Sequence, residues 1–121
     1  MKATLSQIFN NWQAIGKLAT LELPAKKAYG LSRFLRDATT HYEDVEKQRA
    51  ELVNKYGVKD KDGNAAVTPD NLGEFVREFG ELLSVEVEVY DPQLTLESLE
   101  SAKMSAATFF GLTWLIDGGD K

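Results

Sequence analysis

Between Pro24 and Gly57, positions 28, 31, 35, 38, 42, 45, 49, 52 and 56 recur at alternating spacings of three and four. They are Ala28, Leu31, Leu35, Ala38, Tyr42, Val45, Arg49, Leu52 and Tyr56, with Arg49 the one polar break. That is a heptad stripe, the signature of a single helix with one continuous apolar seam. Pro24 suits the first helical turn because its missing N–H is not needed there. Gly57 is expected to stop the helix as a left-handed cap. At 1.5 Å per residue, such a helix is about 50 Å long. A compact domain of 121 residues is narrower than that. Glu43/Lys47, Lys47/Glu51 and Glu51/Lys55 are spaced to pair along its outer face.

The stripe has two readings. In one, the other helices of the same chain cover it. In the other, Leu31, Leu35, Tyr42, Val45, Leu52 and Tyr56 pack against a second copy or a partner.

The remaining elements are shorter. Leu5, Ile8, Trp12 and Ile15, with Phe9 beside them, predict a helix over about 4–18. Thr4 and Gln7 form its capping box. Residues 57–69 are a polar connection, read as a turn or small hairpin around Asp62-Gly63. A calcium loop is ruled out there. With Gly63 as its sixth residue, the first and twelfth would be Val58 and Pro69, neither a carboxylate.

Thr68 and Pro69 predict the start of a third helix that ends near Leu83. Leu72, Phe75, Val76, Phe79, Leu82 and Leu83 form its apolar face. Val85, Val87 and Val89 alternate with Glu86 and Glu88, as in a half-buried strand. Leu94–Glu97 is expected to supply its antiparallel partner, giving a ribbon over about 85–97, with Leu21 and Leu23 as a third short strand. A last helix is expected after Ser105, with Met104 and Phe109 as its hydrophobic staple, ending at Asp117-Gly118-Gly119. Its apolar residues run round most sides, so Phe110 and Trp114 form a possible exposed patch. The expected architecture is a single domain over 1–121. It is α+β and mostly helical, with the long helix over about 24–56 packed by three shorter ones.

Chemistry is scarce in this sequence. The chain has no cysteine, which removes disulfides, Cys-based zinc sites, iron–sulfur clusters and thiol nucleophiles. Its one histidine, His41, has Asp37 and Asp44 at helical spacing. A His–Asp base is one reading, and a solvated helix-face histidine is the other. Glu86, Glu88, Glu97 and Glu100 read as the wet side of strands and turns. Gly57, Gly63 and Gly73 fit no phosphate-loop or dinucleotide spacing. No catalytic residue, cofactor or metal is therefore assigned. Neither a signal peptide nor a membrane span is visible, so the chain is expected to be soluble and intracellular.

The net charge of −5 conceals an asymmetry. Residues 1–60 carry ten Lys/Arg and seven Asp/Glu, whereas residues 61–121 carry four and twelve. Lys26, Lys27, Arg33 and Arg36 share no strict helix face, so direct nucleic-acid binding is not expected. Glu78, Glu81, Glu86, Glu88 and Asp91 form a candidate acidic face for a basic partner, or simply the acidic surface of a soluble domain. The asymmetry also suits head-to-tail self-association.

Two segments carry a family likeness. Glu51-Leu52-Val53-Asn54-Lys55-Tyr56-Gly57 is followed by Lys61-Asp62-Gly63-Asn64. Phe75, Phe79, Glu81-Leu82-Leu83 and Val85-Glu86-Val87-Glu88 come after. Over about residues 24–100 this order resembles a family of small phage and prophage proteins of unknown function. The resemblance implies a phage origin and transfers no catalytic residue. The expected function is a non-enzymatic protein–protein interaction protein, either a virion or assembly component or an accessory factor. An acidic inhibitor of a host nucleic-acid-binding or defence protein, such as an anti-CRISPR, is the alternative. A small enzyme or ligand-binding protein using His41 and carboxylates is the second alternative. Its partners would be host or phage proteins or further copies of itself. Its location would be the host cytoplasm, or the virion if it is structural.

Overall fold

In the computed structural model of the chain, residues 1–59, 62–63, 65–99 and 103–116 are described. The expected stop at Asp117-Gly118-Gly119, and Lys61, Asn64 and Glu100, lie outside them. The architecture is α+β and dominated by one long helix, as the stripe requires. The chain opens with strand β1 (Lys2–Thr4), then helices α1 (Leu5–Asn10), α2 (Trp12–Leu18) and α3 (Ala25–Tyr56). Strands β2 (Gly57–Lys59) and β3 (Ala65–Val67), helix α4 (Leu72–Leu83), strand β4 (Glu86–Glu88) and helix α5 (Ala106–Phe110) follow. No described helix is long and apolar enough to cross a membrane.

Helix α3 runs for 32 residues with Pro24 as its extended N-cap. Its fully buried side chains are Leu31, Phe34, Ala38 and Val45. The heptad reading omitted Phe34, because one seam of a straight helix is wider than a strict 3.5-residue repeat. Gly57 does not adopt the expected left-handed conformation: its backbone is extended (φ −98°, ψ 168°) and leads into β2. Glycine is needed there for space, since a Cβ would lie 2.4 Å from Val53 O and 2.9 Å from Ala66 O. The hairpin β2–β3 pairs Gly57 with Val67 and Lys59 with Ala65. Gly63, at φ +84°, occupies its turn region.

The first predicted helix is two helices. The capping box is present, with Gln7 N donating to Thr4 Oγ1 (3.1 Å) and Thr4 N to Gln7 Oε1 (3.0 Å). Asn11 breaks the helix: its Nδ2 donates to Gln7 O at 2.9 Å, taking a carbonyl that the backbone ladder would otherwise use.

The ribbon is corrected by the structure. Strand β4 pairs with β1, in register Lys2↔Glu88, Ala3↔Val87 and Thr4↔Glu86, and not with Leu94–Glu97. Asp91, Pro92 and Gln93 turn the chain away, with Gln93 at φ +53°. Leu94 then enters the core, and Glu97–Leu99 form a 3-10 turn. Leu21 and Leu23 pack against the core without joining a sheet. Three-residue strands are too short to show a period, so the strand role of Lys2–Thr4 was not readable from the sequence.

Helix α4 starts at Leu72, after the expected Thr68-Pro69, because residues 69–71 form a turn closed by Asn71 N to Thr68 O (3.1 Å). Asn71 caps α4 with no side-chain bond to it, and its Nδ2 instead donates to Tyr56 O, tying α4 to the end of α3. Ser105 caps α5 as expected, and Met104 and Phe109 pack on the core. The helix is shorter than predicted and continues as turns through Leu112, Leu115 and Ile116, all three buried. Gly111 allows α5 to approach α2, since a Cβ would meet the Ala14 Cβ at 2.9 Å. One core joins Ile8, Ile15, Leu18, Leu31, Phe34, Leu94, Leu112 and their neighbours.

Candidate interaction surface

The polar side of α3 anchors the acidic strand segment. Asp37 Oδ2 accepts the Tyr90 N–H (2.8 Å), and His41 Nε2 lies 3.1 Å from Glu88 O. A carbonyl only accepts, so the His41 ring donates here. Arg33 stacks over the Tyr90 ring, 4.7 Å from its centroid. His41 and Asp37, two of the three residues considered for a His–Asp base, therefore strap residues 88–90 to α3. Among the described residues no group of three or more His, Asp or Glu could hold a metal ion.

Of the stripe residues weighed for self-association, two are buried within the chain and four are partly covered by it. Leu31 and Val45 are buried, and Leu35 and Tyr42 pack against the core. Leu52 lies beside Leu82 of α4 in a shallow hollow, and the Tyr56 carbonyl accepts from Asn71. Helices α1, α2 and α4 and strand β3 cover this seam. The chain covers the seam fully at Leu31 and Val45 and in part at Leu35, Tyr42, Leu52 and Tyr56.

The candidate acidic face is divided among three elements. Glu86 and Glu88 share the exposed side of β4. Asp91 caps a turn by accepting the Gln93 N–H (2.8 Å). Glu81 pairs with Arg77 (3.0 Å), which also holds Glu74 (2.7 Å); both carboxylates, Glu74 foremost, raise the guanidinium pKa.

Glu78 faces inward, its side chain only 26% exposed, and meets Lys55 Nζ at 3.3 Å. The Tyr56 hydroxyl first, then Lys55, hold its carboxyl below the usual carboxylate range, against partial desolvation. Its Oε2 is shielded from solvent and has no hydrogen-bond partner among the described residues. Tyr56 and Glu78 together raise the Lys55 pKa. A lowered carboxylate pKa contributes stability above the unfolded value, about 4.3 for glutamate, and loses it as pH falls through the folded one. Glu78→Gln is therefore expected to lower the melting temperature at neutral pH. The difference from wild type should shrink as pH falls below the ordinary glutamate range. Thermal melts across that range check this, and a difference independent of pH would contradict it.

Five rings form a ladder across the junction of α1, α2, α3 and α4. Trp12 stacks on Tyr42 (4.2 Å, 4°), Tyr42 on Phe9 (5.7 Å), Phe9 meets Phe79 edge-on (5.5 Å), and Phe79 stacks on Phe75 (5.8 Å). At its Trp12 end the ladder opens into a groove of about 500 Å³ between α2 and α5. Phe9, Trp12 and Tyr42 line one side, Ala107, Phe110 and Gly111 the other. The groove continues past Lys17 and Thr108 into a hollow of about 300 Å³ lined by Leu21, Lys103 and Met104. Among the described residues, the charged side chains along it are Lys17 and Lys103, both basic.

Phe110 stands on the rim with 80% of its surface exposed. Trp114, paired with it in the expected exposed patch, turns inward: its ring lies 6.2 Å from Phe34, and its Nε1 donates to Gly111 O. Since α5 ends at Phe110, the turns that follow rotate Trp114 onto the core.

Sequence reasoning found Phe110 but missed the rest of the groove. Trp12 and Phe9 fit a core-facing helix so well that nothing marked them as rim residues. The one available signal was Asn10-Asn11, two helix-breaking amides inside an apolar run. Compared with protein-family models, curated proteins and solved structures, the chain matches none.

Proposed function

We propose that this chain is a phage- or prophage-encoded, non-enzymatic protein that acts by protein–protein contact, as a virion or assembly component or accessory factor. The observation that carries the contact reading is the groove between α2 and α5, with Phe110 held 80% exposed on its rim. Leaving an aromatic ring in water forgoes roughly 2 kcal/mol of burial. Aromatic residues beside a desolvatable hollow are the usual anchors of interfaces. His41 and Asp37, two of the residues offered for general-base work, hold backbone groups. The phage origin rests on the sequence resemblance alone.

Glu86 and Glu88, side by side on the open face of β4, favour the inhibitor as the second reading. One experiment separates the two. A photo-crosslinking phenylalanine analogue is placed at position 110, at 86, and at the exposed control Glu43 in cells making the protein. Discrete adducts from 110 and none from 43 are expected. Adducts from 86 alone would move the contact to the acidic strand. Equal, diffuse labelling from all three would refute both.

A further inference from the structure

The first turns of α3 carry a surface opposite in sign to the acidic half of the chain. Residues 25–36 hold four cations and no anion. With Lys27 set aside, Lys26, Tyr29, Arg33 and Arg36 recur at spacings of three, four and three, so they share one face of the helix. All four are exposed, Tyr29 by 62%. Among the described residues, Lys26, Arg33 and Arg36 take part in no ion pair. Tyr90 joins this face from beyond β4. Its ring lies 4.7 Å from the Arg33 guanidinium and beside Gly30, where a Cβ would stand 3.5 Å from the Tyr90 Cε1. Asp37 and Asp91 each accept a backbone N–H, from Tyr90 and Gln93.

We propose that this face of α3 binds single-stranded nucleic acid. Lys26, Arg33 and Arg36 meet phosphates, while Tyr29 and the guanidinium plane of Arg33 stack with bases. From Lys26 to Arg36 the helix rises about 15 Å, the reach of about four phosphates of one strand. Tyr90 backs the Arg33 plane, so less side-chain freedom is lost when a base stacks on it. Charge alone would serve any polyanion. A tyrosine left in water one turn from a backed arginine favours a ligand with planar rings over a chain of carboxylates. None of these residues lines the α2–α5 groove, so the two surfaces are independent. The cations read by themselves show no stripe; Tyr29 completes the face, and only tertiary structure brings Tyr90 to it.

Charge and stacking give separate readouts. The probe is a fluorescent oligothymidylate of about 16 nucleotides, followed by anisotropy from about 50 mM salt upward. Wild-type protein is expected to bind it. The logarithm of the binding constant should fall with the logarithm of salt at a slope of about −2, from three phosphate contacts. Arg36→Ala should flatten that slope to about −1.4. Tyr29→Ala should keep the slope and weaken binding at least about fivefold. Arg33→Lys keeps the charge but loses the plane, so it should behave like Tyr29→Ala. Lys47→Ala, on the mixed-charge half of α3, should bind within about twofold of wild type.

Tyr29, Arg33 and Arg36 are exposed, so melting temperatures should hold, and Tyr29→Ser replaces Tyr29→Ala if the fold is disturbed. A wild type that binds no oligothymidylate at the lowest salt overturns the proposal. So does binding that Tyr29→Ala and Arg33→Lys leave unchanged, because no stacking is then involved. A poly-glutamate peptide of the same charge that binds equally well also overturns it, and assigns the face to an acidic protein segment instead.

Discussion

Phe34→Ala is expected to lower the melting temperature by about 15 °C, from a loss of roughly 3–5 kcal/mol. Phe34 is wholly buried on α3 and meets Trp114 at 6.2 Å. It sits in the core cluster where α3 meets Ile15 and Leu18 of α2 and Leu112 and Ile116 after α5. Removing the ring leaves a cavity that a 32-residue helix cannot collapse into without moving its whole length. The adjacent Leu35, only half-buried, should cost on the order of 1–2 kcal/mol when cut to alanine. Urea or thermal denaturation of the two variants checks the ranking. Equal losses would mean that the seam of α3 runs through Leu35, as the heptad alone implies, rather than through Phe34.

Gly57→Ala is expected to cost about 2–3 kcal/mol, near the upper end for overpacking. The new methyl would meet Val53 O and Ala66 O, both backbone atoms that have no rotamer to escape into. Either the last turn of α3 or the β2–β3 pairing must give way. Faster amide exchange at the hairpin, with protection retained at Ile15 and Leu31, would show that the hairpin yields. Gly16→Ala is the control of opposite sign. Its added methyl meets nothing within 4 Å inside α2, so it should stabilise by roughly 0.5–1 kcal/mol. A Gly57→Ala protein that melts like wild type with its hairpin protected would refute the close approach.

Helix α3 was legible because its signal is local and long. Its 32 residues keep one phase, and no tertiary contact is needed to interpret them. The Thr4–Gln7 box, the Ser105 cap and the Val/Glu alternation of β4 were legible for the same reason: each is complete within a few residues. The partner of β4 was not. Its pairing with Lys2–Thr4 spans more than eighty residues, and three-residue strands carry no periodicity of their own. His41 and Asp37 looked like chemistry for a related reason. A sequence shows that two groups share a helix face, but not that a distant strand arrives to occupy them.

The sequence by itself determined the helix-dominated architecture, the absence of cysteine chemistry and the opposed charges of the two halves. These follow from composition and short-range geometry, which no packing alters. Tertiary structure decided which surfaces remain open. The apolar stripe of α3 is largely covered by α1, α2, α4 and β3. The end of α5 at Phe110 sends Trp114 inward and leaves Phe110 outside. Helix α4, as apolar on one face as any core helix, keeps Leu72 and Val76 in water. Exposure depends on what the rest of the chain covers, and hydrophobicity read along a sequence cannot distinguish a face that has found its neighbour from one that has not.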